Sequence, residues 1–380
     1  MDLSFSEREQ AFRGEVRDWL AAHLPPEPLP SMDTAEGFEA HRRWERELFE
    51  ERYSVVSWPA EYGGRGATIT EWLIFEEEYW AAGAPGRVSQ NGINLLAPSI
   101  LDHGSAEQKA RFLPAMASGE QIWAQAWSEP EAGSDLASLR STAVRAPSDD
   151  GWLLSGQKTW SSRAAFADWG FGLFRTDPAA ERHRGLTYFL FPLPAPGVTV
   201  RPIPQFDGEP GFAELFFDAV YVADTDILGA VGDGWKVTMA TAGKERGLYL
   251  RSPGRFLATA GRLRTLWDAA GRPAAFRDRV ANAWIGARAY QLATFETAAR
   301  IADGGTLGVE TSVNKLFWSE LDLAMHETAL DLLGPDAEHL DSPWMDGYLF
   351  ALAGPIYAGT NEIQRNVVAE RVLGLPRGAR

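Results

Sequence analysis

No cysteine occurs in these 380 residues, which excludes disulfides, thiolate catalysis and zinc sites built on cysteine, and agrees with a reducing cytoplasm. Histidine is scarce: His23, His41, His103, His183, His326 and His339 are the complete set. None pairs with another at the spacing of a metal site, so neither a metal nor a histidine-centred mechanism is expected. Long apolar runs are missing too, since no stretch approaches about 18 uninterrupted apolar residues, and MDLSFSEREQ at the start has no basic lead-in or apolar core. The expectation is a cytoplasmic protein, neither secreted nor membrane-spanning. Positive charge is in deficit, with 36 Lys and Arg against 52 Asp and Glu and a formal charge of −16. A phosphate backbone would be repelled, so nucleic acid is not an expected partner.

What the chain does contain changes period twice. From Ser4 to about Ala117 the apolar spacing is helical, with Phe12, Val16, Trp19 and Leu20 on one face, a proline-rich break at Leu24 to Pro30, and helices expected near 37–51, 70–82 and 106–116. The glycine-rich WPAEYGGRGAT, Trp58 to Thr68, lacks both a preceding strand and G-x-G-x-x-G spacing, so it is no dinucleotide fingerprint. From about Gln121 seven short β-like runs follow: IWAQAW, SLRSTAVRA, GWLLSGQKTW, WGFGLFRT, GLTYFLFPL, VTVRPI and FAELFFDAVYV. After GAVGDG, Gly229 to Gly234, helical periodicity returns. The expected class is α+β: a helical domain over 1–120, a β-barrel or sandwich over 121–228, and a helical bundle over 229–380.

Three motifs fall in order along this plan. WAQAWSEPEAGSDLASL, Trp123 to Leu139, sets Ser128 and Ser134 in a tight loop after a strand, where hydroxyls and free N–H groups meet an anionic or carbonyl-rich ligand. GQKTWSSRAAFADW, Gly156 to Trp169, puts Trp160 beside small hydroxyls at a strand end. In PIYAGTNEIQR, Pro355 to Arg365, a turn opens a helix whose Ile363, Val367, Val368 and Val372 form one apolar stripe. Together these motifs resemble the signatures of the acyl-CoA dehydrogenase family of flavoproteins, across essentially the whole chain.

The resemblance implies FAD as cofactor and an acyl-CoA thioester as substrate. It implies that Gln125, Trp127 and Ser128 contact the flavin pyrimidine edge and that Ser134 lies near the pyrophosphate and the substrate. Trp160 would cover the isoalloxazine, Ser162 would meet flavin N5, and Thr360 and Glu362 would also serve the cofactor. Tyr357, Gly359 and Arg246 would contact substrate. The implied reaction removes a proton from Cα and a hydride from Cβ, so a carboxylate base is required.

In many members that base is a glutamate after the tyrosine of the C-terminal turn, and here the position is Ala358. Other branches carry it in an E-R pair on the first long C-terminal helix, which is Glu245 and Arg246 in GWKVTMATAGKERGLYLR. An apolar cavity would raise such a glutamate from about 4.3 towards roughly 6 to 7. Glu362 is the competing carboxylate, but first-turn acids favour the helix dipole alone, and Glu245 is the expected base. Ala358 would keep a part through its backbone N–H, holding the thioester carbonyl as charge develops.

A second departure is Asp331, which stands where the family has a glutamine serving the FAD of a neighbouring subunit. The segment WDAAGRPAAFRDR likewise replaces an R-x-x-F-G-like run, and a carboxylate near a pyrophosphate is unfavourable unless neutralised. These features most resemble bacterial members acting on bulky or steroid acyl-CoA thioesters, some of them heterotetramers. Three readings stay open at this point. The chain is a dehydrogenase passing electrons to an electron-transfer flavoprotein or similar acceptor, as a homotetramer or as a heterotetramer with a homologous chain. Alternatively it is a partner subunit deficient in FAD, or an oxidase or monooxygenase on the same fold.

Overall fold

The computed structural model describes residues 4–245, 252–305, 308, 310–340 and 342–377, with the backbone alone at 243–245. The chain divides into two compact units, one made of Met1–Pro26, Ala67–Ala84 and Arg246–Arg380 and the other of Glu27–Gly66 and Pro85–Glu245. Among the described residues no helix is long and apolar enough to cross a membrane.

The first unit is helical. It holds α1 (Glu7–His23) and α3 (Ile69–Ala81), and then α7 (Pro253–Ala269), α8 (Arg277–Ala302), α9 (Glu310–Leu333), α10 (Pro343–Leu352) and α11 (Asn361–Val367). Capping boxes start α1 at Ser6 with Glu9 and α3 at Thr68 with Glu71, each satisfying two orphan backbone donors. Val16 and Leu20 of α1 are fully buried, as their spacing predicts. A row of arginines ties α1 to α3: Arg8 to Glu71 at 2.8 Å, and Arg13 and Arg17 to Glu78 at 3.0 Å. The core of this unit gathers Phe256, Leu263, Tyr290, Trp318 and Met325 from α7, α8 and α9.

The second unit carries α2 (Ala35–Glu50), a π-helical turn over Asn91–Leu96, α4 (Ala97–His103), α5 (Ala106–Ala117), a sheet, and α6 (Gly234–Glu245). All seven expected strands form: β1 (Trp123–Ala126), β2 (Thr142–Arg145), β3 (Gly151–Ser162), β4 (Trp169–Arg175), β5 (Leu186–Pro192), β6 (Val198–Ile203) and β7 (Phe212–Ala223). They make one mixed sheet in the order β1-β4-β2-β3-β7-β6, with β5 also paired to β4. Inside it, Phe174, Phe189, Phe191 and Phe217 meet edge to face at 5.1–6.0 Å, a favoured aromatic geometry. Strands β3 and β7 pair along their length with two register shifts, at Leu154/Gly156 and Lys158/Ser161. The first needs glycine, because a Cβ on Gly156 would lie 2.3 Å from Ser141 Oγ.

Candidate functional site

The second register shift in β3 bends the strand at the aromatic motif. Trp160 takes a left-handed backbone, φ 59°, and the residue is 61% exposed near the end of β3, its ring packed edge-on to Phe212 at 5.8 Å. A β-bulge re-aims a side chain in this way, and a left-handed tryptophan is a strained conformation of the kind that clusters at functional sites. Ser162 ends the strand opposite Phe212.

Gln125 and Trp127 come from β1 and the residue after it, next to this bulge. The Thr159 N–H donates to Ser128 O at 2.9 Å, so Gln125, Trp127, Ser128, Trp160 and Ser162 are brought into one neighbourhood. Gln125 Nε2, Trp127 Nε1 and Ser161 Oγ are buried without a hydrogen-bond partner. Buried polar groups are rarely left so. Three adjacent groups able to donate suit a ligand edge rich in acceptors, as the pyrimidine edge of a flavin is. Ser134 lies farther out, exposed on the loop that follows.

That loop is fastened from beneath by residues the sequence reading passed over. The Lys158 side chain is fully buried, and its Nζ donates to Glu129 Oε1 at 2.8 Å, Leu173 O at 2.7 Å and Trp127 O at 3.4 Å. Glu129 in turn accepts from the Arg140 and Ser141 N–H groups at 2.6 and 2.9 Å, and the Glu129 and Ala132 backbones bond reciprocally. The segment from Glu129 to Ser141 is thus closed on itself around one ion pair. Burial lowers the Lys158 ammonium to about 8, against the pull of Glu129. Burial pushes the Glu129 carboxyl up, but Lys158, Ser141 and the Arg140 N–H outweigh it and leave it below the usual range.

The second group of expected residues sits in the helical unit. Ala358 and Gly359 are both left-handed, at φ 56° and 79°, and Thr360 caps α11 by accepting from Ile363 N at 3.3 Å. The buried Gln364 side chain donates through Nε2 to Ala358 O at 3.2 Å and Gly359 O at 3.3 Å. Asn361 N closes the turn onto Pro355 O at 2.8 Å. The turn's carbonyls are therefore occupied. Among the described hydrogen bonds none uses the N–H of Ala358 or Gly359. Tyr357 stacks on Trp318 at 5.9 Å. The apolar stripe of the helix is not its buried face: Ile363 and Val372 are exposed, and the buried residues are Asn361 and Gln364, because the turn takes its anchorage from polar groups.

Glu362 is exposed in the first turn, where its own N–H and the Thr360 hydroxyl hold its carboxyl below the usual range. A base that must accept a proton near neutral pH needs the opposite shift. Glu245 is the last residue of α6, which buries Val237, Thr238, Thr241 and Ala242; its side chain, and Arg246 altogether, lie outside the described residues. Asp331 is neutralised locally, since Arg279 donates to its Oδ2 at 2.6 Å and to Thr328 Oγ1 at 3.1 Å. Among the described residues there is no metal-ligand cluster.

Replacing Ala358 by glycine tests the strain in the turn. Relief of the left-handed alanine gains about 1–2 kcal/mol, and the added chain entropy of glycine costs about 0.5–1 kcal/mol. A net stabilisation of about 0.5 kcal/mol is expected, read as a small rise in the thermal midpoint.

Residues 6–120, 124–220 and 232–373 match the N-terminal, middle and C-terminal domains of acyl-CoA dehydrogenase. The chain is similar to the acyl-CoA dehydrogenase IpdE1 of Mycobacterium tuberculosis, 41% identical over 391 residues that span 98% of this chain and 99% of that protein. Among solved structures, it is similar to the Tcur3481-Tcur3483 steroid ACAD, with a TM-score of 0.88 and 26% identity over 100% of both chains. The ChsE4-ChsE5 complex of Mycobacterium tuberculosis gives a TM-score of 0.83 and 28% identity, also over 100% of both.

Proposed function

Because the chain belongs to the acyl-CoA dehydrogenase family of FAD-dependent oxidoreductases, we propose that it dehydrogenates an acyl-CoA thioester to the 2-enoyl-CoA with Glu245 as general base. The observation that carries this reading is the Tyr357–Thr360 turn, where no described hydrogen bond uses the N–H of Ala358 or Gly359, a pair suited to a thioester oxygen, while the side chain at Ala358 can take no proton. On this reading Ala358 and Gly359 hold the carbonyl, Tyr357 walls the acyl group, and Arg246 and Ser134 contact the CoA ester. The missing carboxylate at Ala358 leaves room for a bulky acyl group, which the steroid ACAD likeness also favours.

Gln125, Trp127, Ser128, Trp160 and Ser162 would hold the flavin, with Ser134, Thr360 and Glu362 completing its contacts; the unpartnered donors of Gln125, Trp127 and Ser161 fit its acceptor-rich edge. FAD when bound supplies the hydride acceptor. The chain's own work is to orient the ester, polarise its carbonyl and take the α-proton. The Arg279–Asp331 pair removes the charge conflict at a pyrophosphate, which favours an FAD-loaded chain over a deficient one.

A tetramer is the proposed assembly, with heteromeric pairing to a homologous chain supported by the two complexes above. The proposed setting is the cytoplasm and the proposed electron acceptor an electron-transfer flavoprotein or a relative of it. Purified protein should be yellow, and anaerobic titration with a panel of acyl-CoA esters should bleach the flavin with formation of the 2-enoyl ester. Turnover that needs oxygen and no CoA thioester would favour an oxidase instead, and a colourless chain active only beside a homologue would favour the partner subunit.

A further inference from the structure

One buried amide grips the strained part of the C-terminal turn. Ala358 is left-handed at φ 56° and Gly359 follows at φ 79°, and a backbone of this kind persists only where its surroundings over-determine it. Gln364 on α11 is fully buried. Its Nε2 donates to Ala358 O at 3.2 Å and to Gly359 O at 3.3 Å, so a single side chain holds two successive peptide groups. Both partners are carbonyls, which sets the NH2 side of the amide towards the turn. The Oε1 is left buried with no hydrogen-bond partner, a cost that the two donated bonds must offset.

In a trans peptide the C=O and N–H point opposite ways, and no described peptide bond is cis. With Ala358 O drawn to Gln364, the Gly359 N–H of the same peptide is turned away from that amide; with Gly359 O drawn to it, so is the Thr360 N–H. No described hydrogen bond uses the N–H of Ala358, Gly359 or Thr360, and successive N–H groups of a turn can face one concavity. Other fastenings close the chain without touching these carbonyls. Tyr357 N–H donates to Ala353 O at 3.1 Å and Asn361 N–H to Pro355 O at 2.8 Å, while Asn361 Oδ1 accepts from Lys315 Nζ at 2.7 Å and Ser319 Oγ at 3.2 Å. Among the described hydrogen bonds, Gln364 alone fixes the Ala358 and Gly359 carbonyls.

We infer that Gln364 is a positioning residue for α-proton removal, its amide holding the two carbonyls of the turn so that the Gly359 N–H, beside that of Ala358, is aimed at the thioester oxygen. The inference rests on the reading that this turn holds the thioester. In the step concerned the Cα–H bond breaks, its proton passes to the base carboxylate, and the electron pair delocalises onto the thioester oxygen as an enolate. Donors fixed before the charge develops stabilise it without reorganisation.

The test uses holoenzyme whose flavin has been reduced with dithionite, so that proton removal is read alone. Exchange of the acyl α-hydrogens into D2O is followed by mass spectrometry, and the carbonyl stretch of the bound ester, labelled with 13C at the thioester carbon, by infrared difference spectroscopy. Gln364→Met removes the donors at similar size, and the remaining fastenings should keep the turn closed. Exchange is expected to fall about 10- to 100-fold, the scale of a small misplacement, and the carbonyl stretch to move back towards its value in water. A merely structural glutamine would lower the thermal midpoint and leave both readings unchanged well below it. Gln364→Glu adds a pH signature, since only a protonated carboxyl can donate to either carbonyl: its exchange relative to wild type should rise as pH falls. Unchanged exchange and carbonyl frequency in folded Gln364→Met overturn the inference while leaving the proposed reaction standing. Should that variant not fold, Gln364→Glu decides, and a ratio to wild type that is flat with pH overturns it. Absence of exchange in the wild type with every ester overturns both the inference and the reading beneath it.

Discussion

Lys158→Met is expected to destabilise the β-containing unit by about 3–5 kcal/mol, because it leaves the Glu129 carboxylate buried with its cation gone. The thermal midpoint should fall by on the order of 10 °C. Two backbone amides, from Arg140 and Ser141, would remain on Glu129, but these cannot replace an ion pair at 2.8 Å in a site with no solvent access to the lysine. The loss should reach the cofactor as well, since Lys158 also holds Trp127 O, and the closed segment from Glu129 presents Ser134. Bound FAD per chain is therefore expected to fall along with stability. The double variant Lys158→Met, Glu129→Gln removes the stranded charge and keeps a carbonyl for the two amides. It should recover a large part of the stability, as buried pairs replaced whole are better tolerated than pairs broken by half. A Lys158→Met protein with wild-type midpoint and full flavin would show that the pair does not fasten the loop.

Glu245→Gln is expected to lower kcat by about 10²- to 10⁴-fold, the usual contribution of a positioned general base, with FAD content unchanged. The candidates at the turn itself are poor ones: Ala358 has no ionisable group, and Glu362 is exposed and held in its charged form. A relocation sharpens the expectation. Ala358 already adopts its left-handed backbone with a Cβ in place, so Ala358→Glu adds no new backbone strain. Adding Ala358→Glu to Glu245→Gln should restore part of the lost turnover, at least towards short esters that leave room for the longer side chain.

The seven strands were legible because their alternation and turn residues act locally, and each β-like run became a strand of the sheet. The helices read well through their apolar spacing, those expected near 37–51, 70–82 and 106–116 standing at Ala35–Glu50, Ile69–Ala81 and Ala106–Ala117. The anchoring residues were not legible. Lys158 in GWLLSGQKTW shares the parity of the buried Trp152 and Leu154, but a lysine on that face reads as a break in the apolar pattern, and only the partner 29 residues earlier makes its burial possible. Lys315 left a signal of a kind: Lys315, Ser319, Asp322 and His326 recur at helical spacing and all face inward on α9, an unusual polar stripe on a buried face. The left-handed backbones of Trp160 and Ala358 had no sequence mark, since neither residue type favours that region.

The role of Glu245 is tested most directly by following the flavin absorbance in a single anaerobic turnover, with wild type and Glu245→Gln loaded with equal FAD and mixed with the best ester of the panel. Bleaching should be rapid in the wild type and at least about 100-fold slower in the variant. Equal rates in the two proteins would place the base at some residue other than Glu245.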